Sequence, residues 1–189
     1  MTKTKPAPPD RAEHVPFIID NIPLGLLDQP LEYIFADHVR LRSVCAALQR
    51  FATEKYVTRG DADMVTAFLT RDRVLHEGDE DDDLFPAVSR RAIPEDQLGA
   101  VLARLRDDHR HNRALIDDIT SALCRHPSRQ IERLSISDRE LMQSFAVAEN
   151  RHIAIGNNVV LAIARIRLPG TDLKEISRGM RMRRGLGHQ

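Results

Sequence analysis

Leu75-His76-Glu77-Gly78-Asp79-Glu80-Asp81-Asp82-Asp83-Leu84-Phe85-Pro86 is the stretch from which the fold is read. On a helix, residues four apart stand one above the other, so His76 and Glu80 point the same way. Upstream, Met64, Val65, Phe68 and Leu69 mark an apolar stripe that runs on through residues 76, 80 and 83 or 84. The imidazole and the carboxylate therefore fall on the face that a folded chain buries. A buried carboxylate with nothing positive opposite it is costly. A metal cation is the simplest partner, and His-x-x-x-Glu suits transition metals that take N and O ligands. Taken alone, the pair reads equally well as a hydrogen-bonded His–Glu contact in a helical core.

The flanking segments repeat the pattern. A first helix opens at Pro30 and runs to about residue 53, with Leu31, Ile34, Phe35, Leu41, Val44, Cys45, Leu48 and Phe51 on one stripe and His38 in its gap. The second runs from about Asp61 to Ser89, and Pro86 predicts a kink or a stop near its end. The third starts at Pro94 and has the clearest seam: Leu98, Leu102, Leu105, His109, Asn112, Ile116, Ile119 and Leu123. The fourth spans about Ser137 to Leu168, with Leu141, Phe145, Ala148 or Glu149, His152, Gly156, Val159, Ile163 and Ile166 inward. Pro169-Gly170 ends it, and Thr171 caps a short fifth helix to about Met182. No strand signal stands out. The fold class is all-α: an antiparallel up-and-down four-helix bundle over residues 28–169. Residues 1–27 read as a mostly disordered, proline-rich tail and a segment packed across a bundle end, and residues 170–189 as a short helix and basic tail.

Each long helix contributes one inward histidine: His38, His76, His109 and His152. Long helices joined by short loops pack antiparallel. At ~1.5 Å of rise per residue, all four imidazoles then lie about 12 to 18 Å above the level of Pro30. His14 and His188 fall in tails, His126 in a loop and His111 off the third-helix seam. Without a metal, four imidazoles in one layer must share partners or stay neutral. A metal site is the favoured reading.

Composition narrows the partners. The 189 residues carry 28 basic and 28 acidic side chains, so no net field points to nucleic acid or an anionic membrane. Arg178, Arg181, Arg183 and Arg184 read as a solvated helix end. Two cysteines, Cys45 and Cys124, make no disulfide framework, and a reducing cytoplasm is the expected location. No apolar run reaches the roughly 20 residues of a membrane span. The N-terminal lysines precede no apolar core of a signal peptide.

At these residues the chain resembles the hemerythrin-like (HHE cation-binding) family. That pattern is a His on the first helix, His-x-x-x-Glu on the second, His on the third and His-x-x-x-Glu on the fourth, often with Leu-Phe-Pro after the second. Here it reads His38, then His76 with Glu80 and Leu84-Phe85-Pro86, then His109, then His152, over about residues 30–168. The resemblance implies a non-haem di-iron centre between four antiparallel helices, and roles in O2 or NO binding, iron handling, and redox or stress sensing. The chain departs from the pattern at Gly156, where a second carboxylate is expected. True hemerythrins carry Asp where this chain has Asn157, and a further His where it has Arg113. Glu149 and Asn157 are the candidate substitute ligands, and the second iron site is expected to be incomplete.

The leading expectation is a di-iron binding protein that responds to O2, NO or redox state, more a sensor than an enzyme. It is expected to take a small ligand and to have a protein partner or a second copy, with no nucleic acid or membrane. The alternatives are a di-iron oxidase or peroxide-reducing enzyme, and a metal-depleted helical interaction module created by Gly156. A histidine phosphotransfer bundle needs one exposed histidine, and these four read as buried.

Overall fold

The computed structural model describes residues 17–187. His14, His188 and most of the proline-rich tail lie outside the described residues. The described chain is mostly helical, in five long pieces. Helix α1 (Pro30–Glu54) opens on a proline, whose fixed φ suits the first turn, and ends where Lys55 takes φ 66°. Helix α2 covers residues 59–91 and is capped by the Thr58 hydroxyl, which accepts from the Asp61 amide. Helix α3 is Leu98–Leu123. Helix α4 covers residues 136–167, entered through a capping box in which Ser135 and Asp138 each accept from the other's backbone amide. Helix α5 is Gly170–Arg183.

The sequence reading is corrected at several points. Pro94–Asp96 form a 3-10 turn, and Gln97 takes φ 49°, so α3 proper begins only at Leu98. Pro86 does not stop α2, which continues to Arg91. A π turn, Asp79–Leu84, comes immediately before it, and that wider turn relieves the proline ring's clash with the preceding carbonyls. Two three-residue strands, β1 (Tyr56–Thr58) and β2 (Ile131–Arg133), pair antiparallel with Val57 opposite Glu132. Strands this short carry too little alternation to be read from sequence.

Two further π segments, Phe68–Asp72 and Gly156–Leu161, interrupt α2 and α4. Each π turn holds extra backbone, so the buried face rotates beyond it. Past Gly156 the inward residues are therefore Val160, Ala164 and Leu168, one or two positions on from the expected Val159, Ile163 and Ile166. Ile166 is 76% exposed. Phe35, also expected inside, is exposed as well.

The core has two apolar clusters with a polar layer between them. One cluster joins Leu41 to Phe51 of α1 with Val65 and Phe68 of α2, Ile116 to Leu123 of α3, and Met142 and Phe145 of α4. The other joins Leu31 and Ile34 with Leu84 to Val88, Leu98 to Leu105, Val160 to Leu168, and Ile176 and Met180 of α5. Between them lie Asp37, His38, Arg73, His76, Glu77, Asp79, Glu80, His109, Asn112, Glu149 and His152, all buried. Phe17 and Ile19 pack on the first cluster, and Ile22 and Leu26 on the second. The lead-in segment thus runs lengthwise past the layer instead of crossing one end. Among the described residues, no helix is long and apolar enough to cross a membrane.

Candidate metal centre

Glu80 occupies the middle of the polar layer and is 1% exposed. Its Oε1 lies 3.2 Å from His38 Nε2, and its Oε2 lies 3.2 Å from both His109 Nε2 and His152 Nε2. His76 Nε2 stands 3.7 Å from the same Oε2. The rings gather in pairs: His38 and His76 have centroids 4.8 Å apart, and His109 and His152 have centroids 4.6 Å apart. Two trios result, His38–His76–Glu80 and Glu80–His109–His152, each with donor atoms close enough to hold one metal ion. They share the Glu80 carboxylate.

All four Nε2 atoms face Glu80, and all four Nδ1 atoms face outward toward an oxygen. His38 Nδ1 is 2.7 Å from Asn157 Oδ1. His76 Nδ1 is 3.4 Å from Asp37, His109 Nδ1 is 3.1 Å from Asp81 and His152 Nδ1 is 3.9 Å from Asp108. Of these outward contacts, the one from His38 to Asn157 is a hydrogen bond, whereas the Nδ1 atoms of His76, His109 and His152 make none. Asp37 precedes His38 yet lies near His76, and Asp108 precedes His109 yet lies near His152, so each acid places its charge beside a ring from a neighbouring helix. The Leu-Phe-Pro motif contributes Phe85, whose ring stacks on His109 at 6.1 Å between centroids.

The charges match a cation. Burial pushes the Glu80 carboxyl up, but His76 and hydrogen bonds from His109, His152 and His38 outweigh it and hold it well below the usual carboxylate range. Burial pushes His76 down, yet Glu80, Asp37 and Asp79 raise it above the ordinary imidazole value. For His109, burial is likewise outweighed by Asp81 and Glu80, and its pKa rises to about 9. Neither ring nitrogen of His76 makes a hydrogen bond, although the side chain is buried. Four inward imidazole nitrogens, one of them orphaned, around a shared carboxylate form a donor set that fits transition-metal ions.

The other sequence candidates are drawn elsewhere. Glu149 is buried but belongs to neither trio: it accepts from Asn112 Nδ2 at 2.7 Å and lies 3.6 Å from Arg73 Nη2. Burial raises its pKa, and Arg73 followed by His152, His109 and His76 lowers it by more. Asn157 sits behind His38, not inside the site. Gly156 faces the interior, where a Cβ would stand 3.7 Å from Glu80 Oε1. A third acidic group, Glu77–Asp81–His109, also has its donor atoms close together. Both oxygens of Glu77 are engaged, one by Arg73 at 2.9 Å and one by Arg113 at 2.7 Å, so this group belongs to the outer surroundings.

Sequence reasoning missed Arg73, which is 2% exposed, and the acids Asp37 and Asp108. Arg73 lies three before His76 on the inward stripe, and two of the four inward histidines follow an aspartate directly. Those were the available signals.

A helical domain that buries four histidines around one carboxylate is built to receive a cation. The chain belongs to the hemerythrin family: the model of the hemerythrin HHE cation-binding domain matches residues 29–164. Comparisons with curated proteins and with solved structures gave no match.

Proposed function

We propose that the chain holds two iron ions between four antiparallel helices and acts as a binding protein responsive to O2, NO or redox state. One ion would be held by His38, His76 and Glu80, and the other by Glu80, His109 and His152. The observation that carries this reading is the pair of two-histidine groups sharing one buried carboxylate. Ferrous iron, when bound, supplies redox chemistry and affinity for small diatomic ligands. Asn157 holds His38 from behind, Asp37, Asp81 and Asp108 place negative charge beside the other three rings, and the apolar clusters on either side exclude bulk water. Gly156 lets the backbone of the fourth helix pack directly against His38 beside Glu80.

Ligand binding is favoured over oxidative turnover because Glu80 is the sole carboxylate in the two trios, whereas oxidative di-iron bundles draw on several. Cys45 and Cys124 are both free, in keeping with a reducing cytoplasm. The test is the absorption spectrum of iron-loaded protein, recorded anaerobically and then with O2 or NO. Reversible near-ultraviolet and visible changes without net consumption of reductant are expected. Steady turnover of peroxide or O2 would favour an enzyme, and no spectral response would refute the sensor reading.

A further inference from the structure

The residue beside Glu80 is gripped from outside the region that matches the family. Asp79 is fully buried and shares the π segment Asp79–Leu84 with Glu80. Successive side chains on a helix diverge by about 100°, so Glu80 turns inward while Asp79 faces α5. There Asp79 Oδ1 accepts from Arg183 Nη1 at 2.6 Å and Arg184 Nη1 at 2.9 Å, and Oδ2 accepts from Arg184 Nη2 at 2.6 Å. Arg184 is itself fixed. It donates to the Met180 carbonyl at 3.0 Å and to the Tyr33 hydroxyl of α1 at 3.2 Å, with its guanidinium 4.7 Å above the Tyr33 ring. Arg183 also reaches Asp83 at 2.9 Å.

Glycines make this approach feasible. A Cβ on Gly78 would stand 2.5 Å from Arg183 Nε, and one on Gly179 of α5 would collide with the Asp83 carboxylate. The family match ends at residue 164, whereas α5 begins at Gly170. In a π segment the α-helical hydrogen-bond register is broken, so that ladder alone does not set where its side chains point. A buried, two-pronged arginine–carboxylate contact supplies the missing constraint.

Resting on the metal centre proposed above, we propose that Arg184, with Arg183, is a positioning residue for the Glu80 metal bridge, acting through Asp79. The centre is then completed by α5. Outer partners of metal ligands typically set affinity by about 10- to 100-fold. A second attachment of α5, Arg91 to Asp172 at 2.7 and 3.1 Å, lies away from Asp79 and provides the control.

The experiment is anaerobic titration of the full chain with ferrous iron, together with the melting temperature of each metal-free protein. Arg184→Ala should bind iron at least tenfold more weakly while keeping its metal-free helical content. Arg91→Ala should keep wild-type affinity even where its melting temperature falls. Arg184→Lys, which keeps the charge but loses the fork, should be intermediate, and it serves as the test should the alanine variant not fold. Wild-type affinity in both Arg184 variants, or equal losses in Arg91→Ala and Arg184→Ala, would overturn the positioning role. A wild-type chain that binds no iron would instead overturn the function proposed above.

Discussion

Gly156 and His38 face each other so closely that a Cβ on residue 156 would lie 3.1 Å from His38 Cε1. That is tight for a ring that is fully buried and held from behind by Asn157. Position 156 is therefore part of the site's wall. Its missing side chain gives His38 its room.

A glutamate at 156 would begin within 3.7 Å of the Glu80 carboxylate. In the metal-free protein the two acids would repel in a buried setting. With metal bound they would both serve as ligands. Gly156→Glu should therefore lower the metal-free melting temperature and widen the gap between metal-free and loaded forms. Gly156→Ala, which crowds His38 and adds no donor, should only weaken metal binding. A gap that stays the same or narrows in Gly156→Glu would show that the side chain does not reach the metals.

His76 and His111 separate the layer from the surface. His76 is 2% exposed with both ring nitrogens unpartnered, whereas His111 is exposed on α3. His76→Ala should lose at least one iron per chain, because it removes a nitrogen from one trio and leaves Glu80 less compensated. His111→Ala should retain wild-type metal content. Equal losses, measured by elemental analysis, would contradict the assignment.

Chelation should leave the helices intact. The two apolar clusters bracket the polar layer and do not depend on it for their own packing. A metal held at a hundredfold above its dissociation constant adds about 2.7 kcal/mol, which for a domain of this size is roughly 5 to 10 °C in melting temperature. Circular dichroism of chelated protein should keep its helical signal and melt lower by about that amount. Unfolding at ambient temperature would mean that the layer, not the clusters, holds the helices together.

Acid sensitivity should trace in part to the entry of α4. Asp138 accepts from Arg125 at 2.8 and 3.0 Å and from the Ser135 amide at 2.8 Å. The Arg125 contact, with those backbone and hydroxyl bonds, outweighs the opposing effect of burial and lowers its pKa from 3.8 to about 2. A depressed carboxyl stabilises the fold fully above its unfolded value, and that contribution is lost as pH falls from about 4 toward 2. Asp138→Asn should therefore be less stable at pH 7 and lose less further stability than wild type across that window. Parallel pH profiles in thermal melts would refute this.

His38, His109 and His152 were legible because each lies in ordinary α-helix, and the His76–Glu80 pair because the α-helical turn Arg73–Gly78 carries the four-residue spacing into the start of the π segment. Beyond Gly156 that spacing fails, since the π segment shifts the inward face from Val159 and Ile163 to Val160 and Ala164. No local signal in Gly-Asn-Asn-Val-Val-Leu announces a π turn. The oxygens behind the rings were hidden for a different reason. Asp37 lies near His76 and Asp108 near His152 across helices, and such pairs appear only once the helices are packed. The destination of Glu149 was hidden in the same way, because its neighbours Arg73 and Asn112 come from α2 and α3. Arg183 and Arg184, read as a solvated end, turned out to hold the buried Asp79.

The most direct test of the shared-carboxylate site is the number of ferrous ions bound per chain at equilibrium, measured by anaerobic dialysis of wild-type protein. Two ions per chain are expected, one for each pair of histidines flanking Glu80. One ion or none, in protein whose helical signal is intact, would contradict a centre bridged by Glu80.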